Sequence, residues 1–283
     1  RHQANDRPHQ QRRPQGQAAP PRPGAAIMCV VAVLCYYVLM TSVTDPGILT
    51  TCFLFQDLPP ETCQDVLARG YQKRVDKGSY FFHQGEAALT MYVLHSGRVK
   101  LVQVTPAGEQ VIVNYLGPGE GLGIIVALSH MTFPLSAEAI EPCLAIGWDQ
   151  ATMLQLMHQY PQLALNGLEM IGRRFARLQA RNQDLATQQV EQRIARTLLR
   201  LVRQFGRRVP EGVLIDMPLS REDLAQMTGT NLYNVSRIMS KWEQAGLVSS
   251  GRMRVVLCKA HEMVIIAGDT ALPGPGATDE AAG

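Results

Sequence analysis

Pro218-Leu219-Ser220-Arg221-Glu222-Asp223-Leu224-Ala225, then Thr228-Gly229-Thr230, then Asn231-Leu232-Tyr233-Asn234-Val235-Ser236-Arg237, is the stretch on which the reading of this chain turns. Ser220 offers an oxygen to the free amides of a starting helix, and Asp223 three residues on completes a capping-box-like pair. The helix stops at Gly229. A second runs from near Asn231 to Ala245 and ends at Gly246, a residue suited to a helix C-terminus. Leu224, Val235, Ile238 and Trp242 are spaced to face inward between the two helices. Two short helices joined by a glycine turn form a helix-turn-helix. The apolar runs 247–250 and 253–257, with a turn at Gly251-Arg252, add a two-stranded wing.

In such a motif the first turns of the second helix enter the major groove. Asn231, Tyr233, Asn234, Ser236 and Arg237 lie there, with Lys241 a turn further on. Arginine side chains in that groove commonly make paired bonds to guanine O6 and N7. Thr230, Lys241 and Arg252 suit phosphate contacts, which position a protein without specifying sequence.

Upstream, Val190, Ile194, Leu198, Leu201 and Phe205 make the inner face of one helix, and Arg193, Arg196, Arg200, Arg203 and Arg207 read as its outward stripe. Before it, Leu168, Ile171, Phe175, Leu178, Asn182 and Leu185 recur at spacings of 3, 4, 3, 4 and 3, a heptad seam for two parallel copies. Asn182 in that seam favours a two-stranded, in-register pair. Pro161 opens this helix, and residues 184–189 read as a hinge. From Arg173 to Arg208 ten arginines face two acids, Asp184 and Glu191, although the whole chain carries only +3. Basic charge gathered in one region of a near-neutral chain fits a protein that touches phosphate with one part.

The N-terminal half changes period. Residues 48–55 and 58–69 read as two short helices, with Pro60 at a first helical position. From Val75 the pattern is that of short strands closed by glycine turns: 77–86, then 91–95 and 98–104 as a hairpin around Ser96-Gly97, then 111–116. Strands of this length and spacing predict a small closed β structure. The stretches Gly78 to Glu86 (G-x-x-F-x-x-x-G-E), Ser96 to Leu101 (S-G-R-V-K-L) and Leu116 to Gly123 (L-G-P-G-E-G-L-G), with Leu54-Phe55-Gln56-Asp57-Leu58-Pro59-Pro60-Glu61 ahead of them, resemble the cyclic-nucleotide-binding-type β-roll of the CRP/FNR regulators. The run 190–201 and the pair Ser236-Arg237 are similar to that family as well.

The resemblance implies an α+β fold: an N-terminal β-roll (a jelly-roll-like double-stranded β-helix), a long dimerisation helix and a C-terminal winged helix-turn-helix. It also implies an effector-controlled dimer on an inverted-repeat DNA site. In members that bind cyclic AMP, a Glu takes the ribose hydroxyl, an Arg-Ser pair the phosphate and a Thr-Ser pair the adenine. Here those positions are Ile124, Pro134-Leu135 and Leu178-Gln179. A buried anion needs cationic and hydroxyl donors, so cyclic AMP is not the expected effector. Gly123, Ile124, Ile125, Leu135, Arg174 and Leu178 are the candidate pocket residues. The alternatives are a haem- or redox-based gas-sensing regulator of the same family, with His83, His95 and His130 as axial candidates for haem, or a β-roll ligand-binding scaffold without DNA binding. Cys52, Cys63 and Cys143 lack the close spacing an iron–sulfur cluster requires, and no C-x-x-C pair marks a zinc site. Where many family members carry a Glu in the reading helix, this chain has Tyr233, which puts the usual half-site in question.

The expected organisation is residues 1–39 as an Arg/Gln/Pro-rich and then apolar segment, 40–160 as the sensing β-roll, 161–188 as dimerisation helix and hinge, 189–267 as the DNA-binding domain, and 268–283 as a tail. Met40 is taken as the natural start. The uncharged run 25–43 is long enough for a membrane segment and stands as the alternative. Expected partners are double-stranded DNA, a second copy of the chain, a small effector of unknown identity and, for an activator, RNA polymerase. A cytoplasmic setting follows from the scattered cysteines. No nucleophile–base set, paired carboxylates or phosphate-binding loop suggests an enzyme.

Overall fold

The computed structural model describes residue 49, residues 51–124 and residues 131–268. The readings made for residues 1–39, 25–43 and 269–283, and for Ile125 and His130, lie outside the described residues, as do the side chains of Asn182 and Leu185.

A 3-10 turn, Phe53–Phe55, and helix α1, Pro60–Ala68, precede the strands, and Pro60 does stand in the first turn of its helix. Eight strands follow: β1 Tyr71–Val75, β2 Tyr80–Phe82, β3 Thr90–Ser96, β4 Val99–Val104, β5 Gln110–Leu116, β6 Gly121–Leu122, β7 Ser136–Ala139 and β8 Cys143–Asp149. They form two antiparallel four-stranded sheets, ordered β1-β8-β3-β6 and β2-β7-β4-β5. Phe82, Leu94, Val99, Leu116, Leu122, Phe133, Ala137 and Ala145 fill the space between them. The long strand expected over 77–86 shrinks to the three residues of β2, because Gly78 and Gly85, at φ +82° and +87°, turn the chain at either side. Gly97 closes the β3–β4 hairpin at φ +88°, where a Cβ would sit 2.6 Å from the Pro142 carbonyl.

Helix α2, Gln150–Gln159, is capped by Asp149 and leads into α3, Pro161–Thr187. One face of α3 (Leu163, Asn166, Gly167, Met170) is buried. Asn166 fixes it there, donating from Nδ2 to the Leu54 and Gln56 carbonyls at 3.0 and 2.8 Å. The other face leaves Leu165, Leu168, Phe175 and Leu178 between 52% and 65% exposed. The helix runs through Thr187, so the expected hinge narrows to Gln188-Gln189 before α4, Val190–Phe205.

The C-terminal part comprises α4, the hairpin β9–β10 (Gly206–Val209, Gly212–Ile215), α5 Arg221–Thr228, α6 Leu232–Gln244, strands β11 Val248–Gly251 and β12 Arg254–Leu257, and α7 Ala260–Ile266. Its sheet is ordered β11-β12-β10-β9. Ile194, Leu198, Leu201, Leu224, Val235, Ile238, Trp242 and Leu257 form its core. The arginine stripe on α4 is not a free solvated face: Arg193 donates to the Thr228 and Gln188 carbonyls at 3.0 and 2.8 Å, and Arg196 to the Ala267 carbonyl at 2.9 Å. Two of these carbonyls close α5 and α7. Cations satisfy the unpaired acceptors at helix C-termini, so this part of the stripe binds the domain together.

Candidate nucleic-acid interface and effector cavity

The helix-turn-helix is built as its sequence implies. Ser220 accepts from the Asp223 amide at 3.0 Å, and the Asp223 carboxylate accepts from the Ser220 amide at 2.8 Å, the reciprocal capping box. Gly229 ends α5 in the left-handed region, at φ +62° and ψ +43°. Asn231 then caps α6, accepting from the Asn234 amide at 2.9 Å. The Asn234 side chain donates to the Thr230 hydroxyl at 3.1 Å. Thr230, Asn231 and Asn234 are thus engaged in shaping the start of α6.

Tyr233 and Arg237, one turn apart, occupy the open face of that helix, while Val235, Ile238, Met239 and Trp242 bury the other. Tyr233 is 73% exposed. Arg237 is exposed and makes no ion pair among the described residues. Ser236 lies beside it, half-buried, and Arg252 stands exposed at the wing turn. Lys241 differs from expectation: its Nζ pairs with Glu191 at 3.1 Å, and the Trp242 indole N–H donates to the same carboxylate at 3.0 Å. Glu191, at the start of α4, therefore holds α6 from behind. Sequence reading missed it, since a residue far away in the chain carries no local signal of that pairing. A second tie joins Arg221 on α5 to Glu243 on α6 at 3.1 Å, with Ser250 of the wing bonded to the same carboxylate.

The β-roll holds a cavity of about 50 Å³ lined by Phe82, Ala88, Leu101, Leu116, Gly121, Leu122, Gly123, Ile124, Thr132, Phe133, Pro134, Leu135 and Arg174. Phe82 and Phe133 stack there at 3.7 Å. The space is well short of the roughly 300 Å³ at which ligand pockets begin. Gly123, Ile124, Leu135 and Arg174 come together as expected. Leu178 does not: one turn beyond Arg174 along α3, it stands 52% exposed and does not line the cavity. Arg174 is the one charged lining residue among those described, and its guanidinium donates to the Gly121 carbonyl at 2.7 Å. Of the haem-ligand candidates, His83 is exposed and stacks on Tyr80, and neither it nor His95 lines the cavity. The cavity wall supplies no axial ligand from the described residues.

A contact the sequence did not announce joins the β-roll to the DNA-reading part. Ile112 and Tyr115 of β5 are 0% and 1% exposed because they enter the core around α4, α5 and α6. The Tyr115 hydroxyl bonds the Asp223 carboxylate, and burial together with that negative neighbour raises its pKa. Gln204 of α4 donates to the Tyr115 carbonyl at 3.0 Å and to the Glu120 carboxylate at 2.6 Å. Arg98 of the roll pairs with Glu141 at 2.9 Å and reaches Asp216 at 3.9 Å.

Comparison with known proteins agrees with this architecture. Residues 72–160 match the cyclic nucleotide-binding domain model, and residues 192–263 the Crp-like helix-turn-helix domain model. The chain is 26% identical over 208 residues to the transcriptional activator protein Anr of Pseudomonas aeruginosa, covering 74% of this chain and 84% of that protein. It is 27% identical over 198 residues to the cyclic AMP receptor protein of Thermus thermophilus, covering 70% and 88%. A solved CRP-family transcriptional regulator from Thermus thermophilus superposes with a TM-score of 0.59 at 27% identity, covering 70% of this chain and 97% of that one. With a β-roll in front, a long helix between and a winged helix-turn-helix behind, the chain belongs to the CRP/FNR family of DNA-binding transcription regulators.

Proposed function

We propose that the chain binds an inverted-repeat DNA site as a homodimer and answers to an effector other than a cyclic nucleotide. The observation that carries the DNA reading is the pair Tyr233 and Arg237, exposed on the one face of α6 that no core residue occupies. Arg237 reads guanine, Tyr233 supplies apolar contact beside it, and Arg252 of the wing touches phosphate. Thr230 and Asn231 position the helix end, whose amides are oriented toward the backbone.

Dimerisation rests on the exposed stripe Leu165, Leu168, Phe175 and Leu178. Leu and Phe side chains set at helical spacing along a long helix are covered by the same stripe of a second copy. A two-fold dimer places its reading helices about 34 Å apart, so half-sites lie one helical turn apart. Cyclic nucleotide is a poor occupant of the cavity: Ile124 is 1% exposed and Leu135 lines the wall, at positions where ribose and phosphate need polar partners.

Selection of bound fragments from genomic DNA, followed by footprinting, tests the reading. Protection of two inverted half-sites about 10 base pairs apart is the expected result, and cyclic AMP leaves both the affinity and the melting temperature unchanged. Failure to enrich any fragment from a folded, dimeric preparation would overturn it.

A further inference from the structure

Helix α6 opens with two large apolar side chains that stand in the open. Leu232 and Tyr233 are its first two residues, 50% and 73% exposed. Neither supports the helix: Asn231 caps it, and Val235, Ile238, Met239 and Trp242 bury its inner face. The polar side chains of the same turn are committed. Asn231 accepts from the Asn234 amide at 2.9 Å, Asn234 donates to the Thr230 hydroxyl at 3.1 Å, and Ser236 is half-buried. The first turn holds no acidic residue. What this end of α6 presents outward is therefore a leucine and a tyrosine, with Arg237 one turn beyond the tyrosine. On a helix of about 3.6 residues per turn, Leu232 and Tyr233 stand to either side of Ser236, so they meet different bases.

Base edges in the major groove carry hydrogen-bonding groups and a single kind of apolar group, the C5 methyl of thymine. Cytosine offers an amino donor there instead, which a carboxylate accepts, and the start of α6 has no carboxylate to give. An apolar side chain gains by covering a methyl. Set against an amino group, it leaves a donor unpaired, which costs. We infer that Leu232 and Tyr233 recognise thymine methyls, so that each half-site carries thymines beside the guanine bonded by Arg237, and cytosine at those places is disfavoured. This inference rests on the reading of α6 as the helix that enters the major groove. It gives Leu232 a part in choosing the sequence, and it gives the half-site a composition.

Uracil in place of thymine keeps every base pair and removes only the methyl. The fragment selected from genomic DNA is synthesised with uracil at one symmetric pair of half-site positions at a time, and binding of the full chain is followed by fluorescence anisotropy. Each methyl contact is expected to be worth about fourfold in affinity, so a symmetric pair is worth roughly tenfold or more. Leu232→Ala is expected to bind the thymine and uracil forms alike at one pair of positions, and Tyr233→Ala at another. Leu232→Met, still apolar, keeps the preference. A fragment with 7-deazaguanine lacks the N7 that Arg237 bonds; its loss of affinity is expected in every variant, as the sign that α6 still enters the groove. Equal binding of the unmodified chain to thymine and uracil forms overturns the inference and leaves the DNA reading standing. A thymine preference that survives Leu232→Ala combined with Tyr233→Ala overturns it too, because the shape of the DNA would then be sensed rather than its methyls. A folded chain that binds neither form fails the DNA reading itself.

Discussion

At the scale of single residues, Arg237 is the side chain proposed to read a base. Its guanidinium is exposed on α6 among residues that are capped, buried or paired. Arg237→Ala is expected to cost about 1–3 kcal/mol of binding and to relax one base position. Arg237→Lys keeps the charge but not the two-pronged geometry, so it should regain affinity more than selectivity. Fluorescence anisotropy against a set of half-sites, each altered at one base pair, distinguishes the cases; equal loss on every site would make Arg237 a phosphate contact. The cysteines give a second residue-scale expectation. Burial raises the Cys52 and Cys143 thiols from 9.0 to about 11, whereas Cys258 is half-exposed. Since the thiolate is the nucleophile, peptide-mapped alkylation at pH 8 should modify Cys258 before Cys52, Cys63 or Cys143. The sign for stability follows from the same shift. The unfolded chain ionises these thiols near 9 while the folded chain keeps them neutral to about 11, so their contribution is full below pH 9 and falls between 9 and 11. Urea midpoints measured from pH 8 to 10.5 should decline over that window.

At the scale of elements, what could be read from the sequence was whatever has a short range. Ser220, Asp223 and Gly229 mark the ends of α5 within a few residues, and the reciprocal cap is there. Of the heptad residues on α3, Leu168, Phe175 and Leu178 are exposed and Ile171 is half-buried. Strands β7 and β8, the hairpin β9–β10 and helix α7 were not foreseen. Each has seven residues or fewer, too short for a clear period, and β8 pairs with β1, far back in the chain. Lys241 shows the same limit at the site: its helical position suggested phosphate, but Glu191, fifty residues away, takes its charge. That pairing yields a prediction. Glu191→Gln keeps an acceptor for the Trp242 N–H while releasing Lys241. It should strengthen DNA binding and raise the magnitude of the slope of log K against log salt by about one. Glu191→Ala instead strands a part-buried indole N–H, at a cost of about 1–3 kcal/mol in stability. Binding titrations at several salt concentrations, with thermal melts of the three proteins, decide whether Lys241 is held back from DNA in this way.

For the whole molecule, the parts legible in sequence were a winged helix-turn-helix, a β-roll and the long helix between them, and the part not legible was how head and roll meet. Ile112 and Tyr115 look like ordinary strand residues, yet they close the core of the head. Only the folded chain brings them to Asp223 and Gln204. Pairing of two chains is a separate matter: the proposed seam is the exposed stripe of α3, away from the roll. Phe175 is 60% exposed and Leu168 65% exposed in one chain, so placing a charge there barely disturbs the fold. In a dimer seam the same charge would be buried without a partner, at a cost of several kcal/mol. Leu168→Glu with Phe175→Glu should therefore give a folded monomer by sedimentation equilibrium, with a circular dichroism spectrum like that of the parent. A monomer presents one reading helix instead of two. It forfeits the second half-site and most of the affinity for an inverted repeat, while binding to an isolated half-site stays close to that of one parent subunit. If the double variant remains dimeric, the copies meet on some other face, and the spacing of one turn between half-sites loses its basis.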